Sequence, residues 1–119
     1  MQELAIKLTW GPDFGIDEEE WPIVARALRH DGEGRFEADR AWELIVRRHA
    51  DGCVLVHGVS EPGEGGPVGE LVPSGYDVAA AVYRVAKDLG FDASMADEVI
   101  AKLSRTWGWV RRWRRRSRT

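Results

Sequence analysis

The central stretch of the sequence, residues 42–59, is WELIVRRHADGCVLVHGV, and it predicts a β-hairpin. Two runs rich in valine, isoleucine and leucine flank Asp51-Gly52. An Asp-Gly pair between such runs favours a two-residue type I′ turn, because both central positions of that turn need positive φ. Ala50 then pairs with Cys53, and the further pairs are Arg48 with Leu55, Val46 with His57 and Leu44 with Val59.

This register divides the hairpin into an apolar face and a polar face. The apolar face contains Trp42, Leu44, Val46, Cys53, Leu55 and Val59, and the polar face contains Glu43, Arg47 and His49. His57 falls on the apolar face, where a histidine is more often a structural residue at a sheet edge or against a helix than a ligand. A slip of one residue would expose the whole apolar set, so the pairing should be well specified.

The segments before the hairpin predict two more strands. Leu4, Ile6, Leu8 and Trp10 alternate with Glu3, Ala5, Lys7 and Thr9, which is typical of a half-buried strand. Residues 23–30 favour a strand, since Pro22 is tolerated at a strand's first residue and residues 31–34 indicate a turn. Their alanines and leucine would also suit a helix. An acidic connection, Asp17 to Glu20, lies between the two strands.

Two helices are predicted after the hairpin. A loop rich in glycine and proline, residues 60–67, leads to a short edge strand at 68–72. Apolar residues then recur at helical spacing at Val78, Val82, Val85 and Leu89, with Gly90 as the stop, and again at Val99 and Leu103. Ser74 and Ser94 are the predicted caps at the starts of these helices.

Together these elements predict an α+β fold. Its four- to five-stranded antiparallel meander sheet carries two C-terminal helices packed on one face. The predicted core consists of Leu4, Ile6, Leu8, Trp42, Leu44, Val46, Leu55, Val82, Val85, Leu89, Val99 and Leu103.

The composition excludes several classes of protein. With 119 residues the chain is long enough for one domain, and its single cysteine excludes a disulfide framework. No apolar run reaches membrane-spanning length and the start lacks a secretion signal, so we expect a cytoplasmic protein. Cys53 with His49 or His57 is the one conceivable nucleophile–base set, but positions 53 and 57 of a strand are ~13 Å apart. We therefore expect no enzyme, no cofactor and no metal site.

The charge of the chain is divided unevenly along its length. Residues 1–104, the predicted single domain, hold all 20 carboxylates and ten of the 17 Lys and Arg, a net charge of −10. Residues 105–119, hereafter the tail, hold seven Arg and no acid, a net charge of +7. Such a division is typical of an interaction tail.

The tail combines arginine with tryptophan. Guanidinium groups bind phosphates and indole rings stack on bases, so the predicted nucleic-acid contacts are Trp109, Arg111, Arg112, Trp113, Arg114, Arg115 and Arg116. The same residues suit an anionic membrane surface. Two further alternatives stay open, namely that the tail folds back onto the acidic body or that it is a solvated terminus.

A second charged cluster consists of Asp13, Asp17, Glu18, Glu19 and Glu20. Its spacing lacks the alternating oxygen ligands and central glycine of a calcium loop. The cluster either keeps the body soluble or binds a basic protein partner, and these five residues are the predicted partner-binding set.

A resemblance is carried by three parts of the sequence, namely residues 18–25, residues 42–59, and residues 79–90 with 99–103. Together they resemble a group of small bacterial proteins of prophages and mobile elements that has no assigned activity. The resemblance implies a protein that binds a host protein, by analogy with phage-encoded anti-CRISPR inhibitors. The expected function is thus a non-enzymatic protein-binding module that inhibits a host nucleic-acid-handling machine. The alternative is a nucleic-acid-binding accessory protein that acts through its tail.

Overall fold

A mixed β-sheet with two helices on one face forms the body of the protein. The computed structural model describes residues 3–8, 14–30, 41–61, 68–73 and 77–106. The described elements are β1 (Glu3–Leu8), β2 (Phe14–Asp17), β3 (Ile23–His30), β4 (Ala41–Arg48), β5 (Val54–Glu61), β6 (Val68–Val72), α1 (Val78–Asp88) and α2 (Ala93–Thr106). The predicted α+β class is confirmed, and both helices follow the six strands in the sequence.

The strand order is β2-β1-β6-β5-β4-β3. Every neighbouring pair is antiparallel except β1 and β6, which run parallel, so the sheet is not a simple meander. It also has one strand more than the upper end of the predicted range. The additional strand is β2, in which Phe14 and Ile16 alternate with Gly15 and Asp17 directly before the acidic turn.

The connection between the two edge strands shows that the sheet is strongly curled. In a flat sheet, β2 and β3 would be five strand spacings apart, about 24 Å. Residues 18–22, hereafter the crossing segment, join them, and even a fully extended chain from Asp17 to Ile23 reaches at most ~21 Å. Part of that chain is a turn, because the Glu20 and Trp21 amides both donate to the Asp17 carbonyl, at 3.0 and 3.2 Å. The β1–β2 pair must therefore curl over the sheet face opposite the helices, hereafter the second face.

The β4–β5 hairpin is present, but its predicted turn and register are wrong by one residue. The His49 amide donates to the Cys53 carbonyl at 2.9 Å, which leaves a three-residue loop of residues 50–52. Gly52 has a φ of 98°, as a three-residue loop requires, and Asp51 accepts from the Cys53 amide at 2.8 Å. The observed pairs include Arg48 with Val54, Val46 with Val56 and Ile45 with His57.

The observed register divides the buried apolar residues between two cores, whereas a single core was predicted. On the helix face, Leu44, Val46, Val54 and Val56 pack against α1 and α2. On the second face lies a separate cluster of Ile6, Ile16, Trp21 and Leu55, with Cys53 packed against it. Leu55 and Cys53 thus lie on the face opposite Leu44 and Val46, contrary to the prediction.

The predicted core residues are found in the interior with few exceptions. The buried ones are Ile6, Leu44, Val46, Leu55, Val82, Val85, Val99 and Leu103. Leu8, Trp42 and Leu89 are partly buried at the margins of the two clusters. The Leu4 side chain lies outside the described part of the structure.

The two helices begin and end at identifiable capping residues. Asp77 caps α1 by accepting from the Ala80 amide at 2.9 Å, and Asp92 accepts from the Ser94 amide at 3.0 Å at the start of α2. The caps are therefore aspartates and not the predicted serines, although Ser74 itself lies outside the described residues. Gly90, with a φ of 72°, ends α1 as predicted.

Candidate partner-binding groove

The crossing segment is folded by the carboxylate and carbonyl of Asp17. Its Oδ1 accepts from the Glu19 amide at 3.0 Å, while its carbonyl accepts from the amides of Glu20 and Trp21. An aspartate suits this place because its short side chain reaches the backbone two residues further on. Asp17 therefore shapes the turn, and the turn projects Glu19 and Glu20 into solvent.

Arg47 fastens the crossing segment to the sheet. Its Nη1 donates to the Trp21 carbonyl at 3.1 Å and its Nη2 forms an ion pair with Glu18 at 3.3 Å. Its Nε donates to His57 Nε2 at 3.0 Å. Only 5% of Arg47 is exposed, although sequence parity placed it on a polar face. The reason is that the crossing segment covers this part of the second face.

His57 is a buried neutral acceptor for that arginine. It is 2% exposed, and burial first and the Arg47 charge second lower its pKa from 6.5 to about 4. Because Nε2 accepts, the proton of the neutral ring is on Nδ1, for which the described residues provide no acceptor. Contrary to the prediction, His57 lies on a central strand and on the face away from the helices. Gly69 pairs with it on β6, where a Cβ atom would lie 2.7 Å from the Cβ of His57.

An open groove of about 640 Å³ lies beside the crossing segment, at the end of the sheet where β3 begins. It is lined by Glu19, Glu20, Pro22, Val24, Arg48, His49 and Ala50. Its volume is within the range of roughly 300–1,000 Å³ that is typical of ligand-sized sites. The groove combines an apolar strip with charged groups at its rim.

Three packed rings, those of Phe14, Trp21 and His49, support one wall of the groove. The ring centroids of Trp21 and His49 are 4.9 Å apart, and Phe14 packs edge-on against Trp21 at 5.8 Å. The Arg48 amide also donates to the Pro22 carbonyl at 3.1 Å, which ties the crossing segment to β4. These contacts tie the crossing segment to β2 and β4 at the wall of the groove.

The structure separates the predicted partner-binding residues by role. Glu19 and Glu20 are exposed at the rim of the groove, and neither forms an ion pair with another described residue. Asp17 and Glu18 instead hold the crossing segment in place. Asp13 lies outside the described residues, as do the predicted nucleic-acid contacts Trp109, Arg111, Arg112, Trp113, Arg114, Arg115 and Arg116.

Sequence reasoning missed Arg47, Trp21 and His49 as parts of the site. A signal was present, because three consecutive apolar residues, 54–56, indicate a strand buried on both faces. If both faces of one strand are buried, polar side chains on the strand paired with it should also be buried. Arg47 is such a residue.

Within the described ranges, no three His, Cys, Asp or Glu side chains are placed to hold a metal ion. Neither described helix has the length and apolar character needed to cross a membrane. Comparison of the chain with protein-family models, curated proteins and solved structures found no match.

Proposed function

We propose that the protein is a non-catalytic module that binds a basic segment of a protein partner in this groove. The observation that carries the proposal is the pair of exposed carboxylates, Glu19 and Glu20, at the rim of a groove with an apolar strip. Opposite charge across an interface speeds association and selects the partner. The apolar strip, with Pro22 and Val24, supplies the desolvated contact that charge alone does not give.

The fixed shape of the groove supports the same proposal. Arg47 and the packed rings of Trp21 and His49 tie the crossing segment to the sheet. A surface that is ordered in the free protein loses less entropy on binding than a mobile loop does. The wall of the groove is therefore suited to recognition of an extended chain.

The proposed partner is a nucleic-acid-handling protein of a host cell. Proteins of that class carry the clustered lysine and arginine that bind phosphate, and a carboxylate pair competes for such groups. The version in which the protein is a phage-encoded inhibitor of a defence machine follows from the sequence resemblance alone.

The test is capture of the partner by the tagged full chain from nuclease-treated host lysate. Glu19→Gln with Glu20→Gln should reduce the captured partner at least tenfold, because the groove loses both of its carboxylate charges. The matched control is Asp88→Asn with Asp92→Asn, the same charge change at two exposed positions elsewhere. Equal capture by the two double variants would contradict the proposal.

Nucleic-acid binding through the tail is the second candidate, favoured by seven Arg without an acidic residue in positions 105–119. Under this alternative, replacing Arg111, Arg112 and Arg114 by Gln would abolish retention of single-stranded DNA. Retention would also fall steeply with salt. The groove variant Glu19→Gln with Glu20→Gln would retain DNA at least as well as the unchanged chain.

A further inference from the structure

The course of α2 leads the chain toward the groove. Glu98 on α2 pairs with Arg29 on β3 at 2.8 Å, and one helical turn later Lys102 Nζ donates to the Arg26 carbonyl at 2.7 Å. The helix thus runs antiparallel to β3. Its next turn advances about 6 Å, so at Thr106, the last described residue, the chain is heading toward the end of β3 that begins at Ile23. That is the end of β3 at which the groove lies.

The segment that follows Thr106 is complementary in charge to the two carboxylates of the groove, Glu19 and Glu20, whose neighbour in the lining is the single arginine Arg48. Residues 107–119 contain six Arg, three Trp and no acidic residue. Glu19 and Glu20 lie on the rim, four and three residues before the start of β3. Neither carboxylate forms an ion pair with another described residue. Attraction between charges of opposite sign is strong over the few ångströms between neighbouring segments and is screened beyond ~10 Å at 0.1 M salt.

The same segment fits the groove in size and in its apolar groups. Thirteen residues reach up to ~45 Å when extended, which exceeds the distance along β3. The groove has a volume of about 640 Å³, enough for an indole ring beside Pro22 and Val24. Arginine side chains on either side of such a ring would meet the two carboxylates.

We propose that residues 107–119 dock in the groove of their own chain. Residues 107–119 then occupy the site that the proposed function assigns to a partner, so a partner binds by displacing them. This regulatory consequence rests on the proposed function, whereas the docking itself does not. The docked tail also identifies the preferred ligand, an arginine-rich segment with an aromatic residue.

The test locates the tail by paramagnetic broadening of backbone amide signals in the full chain. A nitroxide is attached at Ser117→Cys in a Cys53→Ser background, whose amide spectrum must first match that of the unchanged chain. At 20 mM salt, the amides of residues 19–24 and 48–50 should be broadened at least twofold more than those of residues 88–95. At 500 mM salt the difference should vanish.

Two variants and one mixing control make the result specific. Glu19→Gln with Glu20→Gln should remove the broadening near the groove, and Asp88→Asn with Asp92→Asn should leave it unchanged. Broadening that is uniform, or strongest away from the groove, overturns the proposal. So does broadening in a mixture of nitroxide-bearing unlabelled chains and ¹⁵N-labelled chains without nitroxide, because it would place the tail in a second copy.

Failure of this inference and failure of the proposed function give different results. If the tail does not broaden the groove signals but the rim variant still loses the captured partner, the groove binds a partner without self-docking. If the tail docks but the rim variant captures normally, the self-docking stands and the proposed function is wrong.

Discussion

Arg47 is the residue on which the wall of the groove depends most. Three acceptors surround its guanidinium group, and two of them, His57 Nε2 and the Trp21 carbonyl, lie in the interior. The third, Glu18, is 41% exposed in its side chain. A buried acceptor left without a donor costs more than a surface ion pair contributes.

Arg47→Met should therefore reduce the free energy of unfolding by about 2–3 kcal/mol, because it leaves both interior acceptors without a donor. Glu18→Gln should reduce it by less than ~1 kcal/mol, since the amide oxygen still accepts and the site is partly solvated. Urea unfolding of the two variants checks the ranking. A larger effect of the Glu18 change would show that the ion pair and not the buried hydrogen bonds holds the crossing segment.

The low pKa of His57 makes the stability of the fold dependent on pH. Its pKa is about 4 in the folded protein against 6.5 in the free side chain. Between these values the unfolded chain binds a proton that the folded chain does not. The free energy of unfolding should be highest above pH 6.5, where His57 is neutral in both states. It should fall by up to about 3 kcal/mol as the pH falls to 4.

Unfolding at several pH values, with His57→Gln as the comparison, measures this effect. The glutamine can accept from Arg47 but does not titrate, so its stability should change much less between pH 6.5 and 4.5. The pKa values of Glu98 and Asp51 are lowered from 4.5 and 3.8. These two carboxyls therefore change the stability mainly at pH values below that window. Parallel pH profiles of the two proteins would contradict the assignment to His57.

At the scale of elements, β5 and β6 approach each other closely at Gly69. A Cβ atom at that position would lie 2.6 Å from the Val56 carbonyl oxygen and 2.7 Å from the Cβ of His57. Both atoms belong to a paired central strand, which has little freedom to move away. The glycine therefore fixes how closely the strand bearing His57 is packed.

Gly69→Ala should cost more than about 2 kcal/mol of folding free energy, at the upper part of the range for overpacked interiors. Gly90→Ala is the matched control, because a Cβ there meets nothing within 4 Å and only its φ of 72° is unfavourable. That backbone strain costs about 1 kcal/mol. Thermal unfolding that ranks Gly90→Ala as the more destabilising change would contradict the packing described for β5 and β6.

The elements were largely predictable from local sequence, and their pairing was less so. Periodicity located β1, β3, the hairpin strands and both helices, because their apolar residues recur at strand or helix spacing. The hairpin register was missed because an Asp-Gly pair fits both a two-residue and a three-residue loop. The difference is one residue, yet it moves Leu55 and Cys53 to the opposite face.

At the scale of the whole molecule, the groove results from the curl of the sheet. The five-residue crossing segment can join the two edge strands only if β1 and β2 fold over the second face. That fold covers Arg47 and His57 and places Glu19 and Glu20 beside the β4–β5 turn. Alternation along a strand reveals which residues share a face, but it does not reveal what covers that face. The acidic run was therefore recognisable in the sequence, whereas the division into two structural and two exposed carboxylates was not.

The most direct test of the groove as the binding surface is amide hydrogen exchange in the full chain, free and bound to its captured partner. Slower exchange on binding marks the backbone that the partner covers. We predict at least tenfold slower exchange in residues 19–24 and 48–52, with the exchange of residues 78–103 unchanged. Slower exchange confined to the helices, or absent from both groove segments, would contradict the account.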